Sequence, residues 1–191
     1  RMGELCGQKT PCPPFDKDRL NETLGPIRNM AQSPEIFKSK LEKILVDAGV
    51  VLVICPHLSK TFLHGATFRL GHKAVLMLTM QGSWADIFWF SLFHEIGHLL
   101  LHDKNRIFLE GENSKELVEL EKEADHFAAD LLIPPDEYAA FVQNSIFNSE
   151  TIIAFSNRVA IHPGILVGRL QHDGHLDHSR HNDLRTRYKW T

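Results

Sequence analysis

Two histidines and a glutamate are spaced in this chain as a metal-dependent hydrolytic site would need them. They lie in the pentapeptide His94-Glu95-Ile96-Gly97-His98. Because a helical turn takes about 3.6 residues, the two histidines share one face, and both imidazoles can reach a single Zn²⁺. Glu95 follows the first histidine and can act as general base on a water at the metal. This is the HExxH signature of zinc peptidases. The alternative is a helix with two histidines at its polar edge.

The residues around the pentapeptide predict a buried helix. Residues 84–101 contain no proline, and apolar side chains occupy most faces of the predicted helix. A histidine buried in such a helix needs a hydrogen-bond partner or a metal. Gly97 costs about 1 kcal/mol relative to alanine in a helix. We therefore expect a strand or a substrate to approach the helix closely at Gly97.

A catalytic zinc needs a third protein ligand, and a second predicted helix offers one. Residues 114–132 have helical spacing, and Glu121 and Asp125 share a face of that helix. Glu121 is the candidate ligand, while Asp125 can accept the other ring N–H of a zinc histidine. Glu123 is the alternative ligand, although its position predicts that it faces solvent. An ordinary charged helix surface is the simpler interpretation of this stretch.

The residues after the pentapeptide exclude one class of zinc peptidase. Metzincins place a glycine and a third histidine at a fixed spacing after HExxH. Here three leucines follow, and then His102. We interpret His102 as a helix-end residue that interacts with the negative end of the helix dipole.

Three segments together resemble the ImmA/IrrE family of zinc metallopeptidase-like proteins. They are FHEIGHLLLH at 93–102, EKEADHFAADLLIP at 121–134 and GILVGRLQHDG at 164–174. In more detail, residues 15–190 are similar to the C-terminal part of regulators that carry an N-terminal Xre/HigA-type helix-turn-helix. The resemblance implies that His94, His98 and Glu121 hold zinc and that Glu95 is catalytic. It also implies peptidases that cleave a repressor, or antitoxins and regulators in which cleavage is not established.

The amino-acid composition limits the classes of protein to which this chain can belong. The chain has 191 residues, 43% of them apolar and 24% charged, which is typical of one globular domain. The net charge of −3 argues against direct nucleic-acid binding, and no apolar stretch is long enough for a membrane span. Three cysteines, an odd number, favour free thiols and a cytoplasmic location. Because the chain begins Arg1-Met2, we expect that any DNA-binding head lies outside it.

The order of predicted elements gives an α+β, minimal zincin-like fold. Residues 1–14 are expected to be an irregular lead, 15–181 the metallopeptidase domain and 182–191 a C-terminal tail. A helix from Asp16 or Asp18 should break at Gly25-Pro26, and another should start at Ser33-Pro34-Glu35 and end at Gly49. A buried strand over 50–54 and a hairpin over 67–79 should form a sheet of about three strands packed on the HExxH helix. One of the hairpin strands is expected to pair with extended substrate.

The C-terminal third predicts further helices over 136–144, 151–159 and 163–172. The last two superficially resemble a helix-turn-helix, but basic residues are few, and we expect them to pack behind the HExxH helix. The tail carries basic and aromatic residues and can dock a partner, fold back or remain solvated. Histidines at 172, 175, 178 and 181 recur every third residue, which fits a surface loop or a second metal site. His172 is a candidate catalytic residue that stabilises an oxyanion, with Tyr138 a weaker candidate for that role.

Three functions remain open at this stage. The first is a zinc endopeptidase of the HExxH…E type that acts on a protein or peptide, such as a repressor or a toxin-antitoxin partner. The second is a non-catalytic sensing or interaction domain of a transcriptional regulator. The third is an antitoxin that neutralises a co-encoded toxin. Metal binding by itself would not establish turnover.

Overall fold

One small sheet and a larger set of helices make up the computed structural model, which describes residues 2–33, 38–55, 65–79, 84–102, 115–144 and 146–188. The described helices are α1 (Met2–Lys9), α2 (Lys17–Glu22), α3 (Leu24–Met30), α4 (Lys38–Asp47), α5 (Ala85–Leu101), α6 (Lys115–Leu132), α7 (Pro135–Asn144), α8 (Ser149–Arg158) and α9 (Pro163–His172). The strands are β1 (Val50–Cys55), β2 (Gly65–Leu70) and β3 (Lys73–Thr79), and a 3₁₀ turn spans Asn182–Leu184. This arrangement confirms the predicted α+β fold class. No described helix is both long and apolar enough to cross a membrane.

The central strand of the sheet is β3. β1 runs parallel to it, with Val50 opposite Ala74, and β2 runs antiparallel, with Gly65 opposite Leu78. The predicted hairpin across Gly71-His72 is therefore confirmed as β2 and β3. Among the described strands, β2 pairs with β3 alone, so β2 is an edge strand of this sheet.

Both faces of the sheet are buried, because its side chains alternate between two clusters. One face supplies Leu52 and Leu76 to the main core, where they join Trp89 and Phe93 of α5. The other face supplies a second cluster of Val51, Val53, Cys55 and Val75. Accordingly, β1 and β3 are apolar over nearly all of their length, whereas the edge strand β2 also carries Thr67 and Arg69 and is mostly half-buried.

The expectation of an irregular lead at 1–14 is wrong for Met2–Lys9, which form α1. This helix covers the second face of the sheet, and two glycines on one side of it permit a close approach. A Cβ at Gly7 would lie only 2.8 Å from methyl carbons of Leu70 and Val75. The close packing of a glycine face on a sheet is a tertiary effect, and the short helix has little amphipathic pattern of its own.

The predicted start of the next helix is confirmed, but its predicted end is wrong. Asp16 caps α2, and its carboxylate accepts hydrogen bonds from the backbone N–H groups of Asp18 and Arg19. The chain then breaks at Thr23, and Pro26 lies in the first turn of α3, where its missing N–H leaves no hydrogen bond unmade. The predicted helix start at Ser33-Pro34-Glu35 lies largely outside the described residues. The predicted end at Gly49 is confirmed by its positive φ of 80°.

The three predicted C-terminal helices are present, and α9 packs against α5. The buried side of α9 includes Leu166 and Val167, both 0% exposed. A recognition helix for DNA must expose the face that contacts the bases, whereas much of the surface of α9 is buried in the core. Helix α9 thus packs on α5, as expected, while α8 packs on α9.

The tail does not remain solvated over residues 185–188, which we call the strap. The strap crosses the start of α5, and the backbone N–H of Ala85 donates to the carbonyl of Thr186 at 2.9 Å. The guanidinium of Arg185 contacts the carboxylate of Asp86 at 2.7 Å, and both side chains are nearly buried, with 11% and 8% exposed. A buried carboxylate requires such a partner, because an unpaired charge would be strongly destabilised there.

Aromatic contacts extend the strap along the same helix. The indole N–H of Trp89 donates to the hydroxyl of Tyr188 at 2.8 Å. The guanidinium of Arg187 lies 4.1 Å from the ring centre of Trp84. The helix that carries the pentapeptide is therefore held by the sheet on one side, by α9, and by residues from the other end of the sequence.

Candidate metal centre

His94 and His98 project from the same side of α5, as their spacing predicted. Their ring centroids lie 4.6 Å apart, and their Nε2 atoms face each other at 2.9 Å. His98 is nearly buried, with 7% of its side chain exposed, while His94 is 16% exposed. Two imidazole nitrogens converge on one point at the boundary between α5 and α6.

Glu121 of α6 completes the group, and each of its carboxylate oxygens faces a different histidine. Oε2 lies 3.2 Å from Nε2 of His94, and Oε1 lies 3.4 Å from Nε2 of His98. The ligand atoms of these three residues all lie within 4.8 Å of one another. The structure thus brings together the three residues that we predicted as metal ligands.

The close packing of α6 on α5 explains the glycine in the pentapeptide. A Cβ at Gly97 would lie 3.1 Å from Cδ1 of Phe127 and 3.4 Å from Cα of Ala124. We expected a strand or a substrate at this position, and that expectation is wrong, since the neighbour is α6. A larger residue would push α6 outward and move Glu121 away from the two histidines.

The geometry of this group fits a metal ion. Zinc bonds of about 2.0–2.2 Å at tetrahedral angles place adjacent ligand atoms roughly 3.3 Å apart. The two carboxylate-to-imidazole separations, 3.2 and 3.4 Å, match this value, and the separation between the two imidazoles, 2.9 Å, is slightly shorter. Two imidazoles and one carboxylate are also the donor set of a catalytic zinc site, which keeps its fourth position open.

Asp125 lies one turn beyond Glu121, at the other ring nitrogen of His94. Its Oδ1 is 2.9 Å from Nδ1 of His94. When Nε2 of this histidine faces a metal, Nδ1 carries the proton and donates it to the carboxylate, which fixes the orientation of the ring. The structure places Asp125 where the sequence predicted an orienting carboxylate.

His102 ends α5 and Glu123 is largely exposed, as expected, but their side chains also make contacts that were not predicted. Nδ1 of His102 lies 2.9 Å from Nδ1 of His98, and its Nε2 lies 3.2 Å from Oε2 of Glu123. The side chain of His102 is only 5% exposed. Glu123 keeps 60% of its side chain exposed, but its carboxylate reaches back to this buried imidazole. His102 is therefore more than the simple helix-end residue that we expected.

Glu95 points away from α6, toward the sheet. It is 5% exposed, and the side chain of Thr67 on β2 hydrogen-bonds its carboxylate. Burial raises the pKa of Glu95 to about 7, although His98, His94 and the Thr67 hydrogen bond act in the opposite direction. A carboxylate that titrates near neutrality is suited to general acid-base chemistry.

The start of β2 touches the same carboxylate. A Cβ at Gly65 would lie 2.5 Å from Oε1 and 2.6 Å from Cγ of Glu95. Gly65 and Thr67 alternate along β2 and therefore face the same side of the sheet. The sequence analysis did not identify either residue as part of the site. The feature of the sequence that could have indicated this role is a threonine at a core-facing position of an edge strand.

In the metal-free site, the histidines and the carboxylates shift one another's pKa values, so that the pKa of His94 rises and that of Glu121 falls. Burial lowers the pKa of His94, but hydrogen bonds to Asp125 and Glu121 outweigh it and raise that pKa to about 9. The hydrogen bonds from His94 and His98 hold the pKa of Glu121 well below its ordinary value.

His172 lies at the edge of this group and not among the converging atoms. Its side chain is 80% exposed, and its ring centroid lies 6.5 Å from that of Phe90, which in turn lies 6.3 Å from the ring of His94. The hydroxyl of Tyr138 donates to Asp173 at 2.8 Å. Both oxyanion candidates contact the carboxylate of Asp173, since Nδ1 of His172 lies 3.0 Å from its Oδ1, but the ring of His172 remains exposed.

The histidines after α9 do not form a second metal group among the described residues, where His94, His98 and Glu121 are the group found. The imidazole of His181 lies within 3.0 Å of the carbonyl of Phe147 and 3.2 Å of the hydroxyl of Ser149. His175 packs beside the rings of Tyr138 and Phe147. His181 and His175 thus have protein contacts in place of a metal. Cys6, Cys12 and Cys55 form no disulfide among the described residues, as predicted.

Comparison with known families places this geometry in context. Residues 85–158 match the family model Peptidase_M78, described as the IrrE N-terminal-like domain. This match supports an ImmA/IrrE-family domain over these residues. The region matched to this domain includes both histidines, Glu95 and Glu121, whereas the sheet and α9 lie outside it. A comparison of the chain with curated proteins found no match.

Proposed function

We propose that this ImmA/IrrE-family domain is a zinc-dependent endopeptidase that acts on a repressor or an antitoxin-type protein. The observation that carries the proposal is the convergence of His94, His98 and Glu121 within 4.8 Å, next to a glutamate with a raised pKa. When bound, zinc supplies a Lewis acid that polarises the scissile carbonyl and lowers the pKa of water.

Glu95 is placed to move the proton in this reaction. Its pKa of about 7 allows it to accept a proton from the attacking water and to return that proton to the leaving amine. Thr67 holds the carboxylate by a hydrogen bond, so the carboxylate is oriented before substrate arrives. Asp125 orients His94, and His172 at the edge is the candidate for contact with the developing oxyanion.

The edge strand β2 is the proposed binding site for the substrate backbone. Its Gly65 and Thr67 contact Glu95, and among the described strands it pairs only on the β3 side. An extended peptide added to such an edge is bound through main-chain hydrogen bonds, which demand little of its sequence. That mode suits a protein substrate recognised mainly through contacts outside the cleavage site.

The test is a pair of measurements on the purified chain and its Glu95→Gln variant. Metal analysis and zinc titration should show one zinc in each, because Glu95 is not a ligand. The protein that copurifies with Glu95→Gln should be cut by the wild type and remain intact with the variant, as followed by intact mass. Glu119→Gln is a matched control, since Glu119 is exposed and pairs with Lys122 on α6.

Three results would count against the proposal. A wild-type chain that binds no zinc removes the metal site. A chain that binds zinc but cuts neither its partner nor an unfolded protein favours the alternative of a sensing or interaction domain. Cleavage that continues unchanged in Glu95→Gln would show that another residue moves the proton.

A further inference from the structure

We propose that His102 and Glu123 are positioning residues that fix the ring orientation and tautomer of His98. The inference rests on the proposed zinc site and adds to it a second chain of hydrogen bonds that orients a metal ligand. The first chain is the contact of Asp125 with His94. The second runs from Glu123 through the buried imidazole of His102 to Nδ1 of His98.

The direction of every proton in the second chain follows from one requirement. A metal takes the lone pair of Nε2 of His98, so the proton of that neutral ring lies on Nδ1. Nδ1 of His102, 2.9 Å away, must then accept, and the proton of His102 lies on Nε2. That N–H points at Oε2 of Glu123, 3.2 Å away, which is an acceptor when ionised. Each contact joins a donor to an acceptor.

The position of His102 at the end of α5 does not by itself explain its imidazole. The backbone N–H of His102 donates to the carbonyl of His98 at 3.3 Å, and any residue could make this bond. The side chain instead turns inward, with 5% exposed, and lies 5.0 Å from His98 between ring centroids. A residue whose only role was to end the helix would not need an acceptor at this buried point.

The two chains have a common plan. His94 and His98 each present Nε2 to Glu121 and turn Nδ1 toward a protein acceptor. Asp125 reaches His94 directly, whereas the carboxylate of Glu123 reaches His98 only through an intervening imidazole. Loss of such an orienting partner lowers metal affinity by about 10–100-fold.

Two substitutions at His102 separate positioning from packing. His102→Phe keeps a ring but removes both nitrogens, and we expect zinc affinity to fall about 10–100-fold. His102→Asn restores an acceptor in the place of Nδ1 and should recover at least half of that loss on a logarithmic scale. Affinity is measured by competition with a chromophoric chelator, and the metal-free melting temperature of each variant reports on folding.

Glu123→Ala should weaken zinc binding less than His102→Phe, because His98 keeps its acceptor. Its matched control is Glu119→Ala, one turn earlier on α6, which should leave zinc affinity unchanged. Nitrogen-15 spectra of the zinc-loaded protein supply a signature that packing alone would not produce. Nδ1 of His98 and Nε2 of His102 should carry the protons.

Several outcomes would overturn the inference. They are a His102→Phe variant that binds zinc within about threefold of the wild type, a His102→Asn variant as weak as His102→Phe, or a protonated Nδ1 on His102. In each of these cases the wild type still binds zinc, and the proposed function stands. A wild type that binds no zinc overturns both, so the two failures are distinguishable.

Discussion

The contact between Gly65 and Glu95 allows a test of the site that needs neither substrate nor metal. Gly65→Ala places a methyl group 2.5 Å from Oε1, 2.6 Å from Cγ and 2.8 Å from Cδ of Glu95. These distances are well inside van der Waals contact, and Cγ lies close to the helix backbone. Rotation of the carboxylate alone therefore does not relieve the collision, and the side chain or β2 must move.

The expected cost follows from the cost of overpacking a buried position. Such changes destabilise by about 1–3 kcal/mol, and Glu95 is 5% exposed, so the upper half of this range applies. For a chain of this size, each kcal/mol lowers the melting temperature by about 2–4 °C. We expect Gly65→Ala to melt about 4–12 °C below the wild type. Because Glu95 is displaced, turnover should also fall, by roughly 100-fold for a shift of about 1 Å.

A double-mutant cycle isolates the collision. Glu95→Ala removes Cγ, Cδ and both oxygens, so Gly65→Ala in that background should cost little. Gly25→Ala is the control for the loss of a glycine, since a Cβ there meets nothing within 4 Å. Thermal unfolding of the metal-free chains supplies all four corners of the cycle. The reasoning fails if Gly65→Ala costs as much without the Glu95 side chain as with it, or if it costs nothing in the wild type.

Two further predictions concern parts of the fold outside the converging ligands. Arg185→Leu should destabilise the chain by about 3–5 kcal/mol, because it leaves the carboxylate of Asp86 buried without its partner. Chemical denaturation measures this, with exposed Arg180→Leu as the control; a loss below about 1 kcal/mol would show that the pair is dispensable. Asp173→Asn tests a pH dependence, since hydrogen bonds from His172, Arg169 and Tyr138 outweigh burial and hold the pKa of Asp173 below its ordinary value. Such a depressed pKa stabilises the fold above the pKa of the unfolded chain. Asp173→Asn should therefore cost about 1 kcal/mol at neutral pH, and this cost should fall progressively as the pH drops below the ordinary pKa of an aspartate toward the folded value. A cost independent of pH would contradict this.

The site residues that could be predicted from the sequence were found from their spacing within a single helix. The spacing of His94 and His98, and that of Glu121 and Asp125, each needs only the geometry of one helix. Apolar runs bounded by glycine and proline likewise predicted the three strands and most of the helices. In these cases the local pattern and the tertiary fold favour the same structure.

The residues that were missed acquire their roles from contacts between elements. Thr67 and Gly65 join the site because β2 packs beside α5, and no local pattern records that packing. Glu123 was assigned to solvent from its angle on the helix, which ignored the reach of a long side chain toward His102. The position of the strap was not predicted, because the sequence allowed the tail to dock a partner, fold back or remain solvated. Its partner Asp86 lies 99 residues away in sequence, beyond the reach of a local pattern.

That separation has a consequence for the order in which the molecule is made. During synthesis, Asp86 and the start of α5 emerge long before Arg185. The carboxylate of Asp86 therefore gains its counter-ion only after the rest of the helix has been made. Contacts of such high sequence separation form late and slow folding, because a long loop must close first. A nascent or clipped chain that ends before the strap holds a buried carboxylate without a partner. We therefore expect completion of the helix that carries the pentapeptide to be coupled to translation of residue 185 and those that follow it.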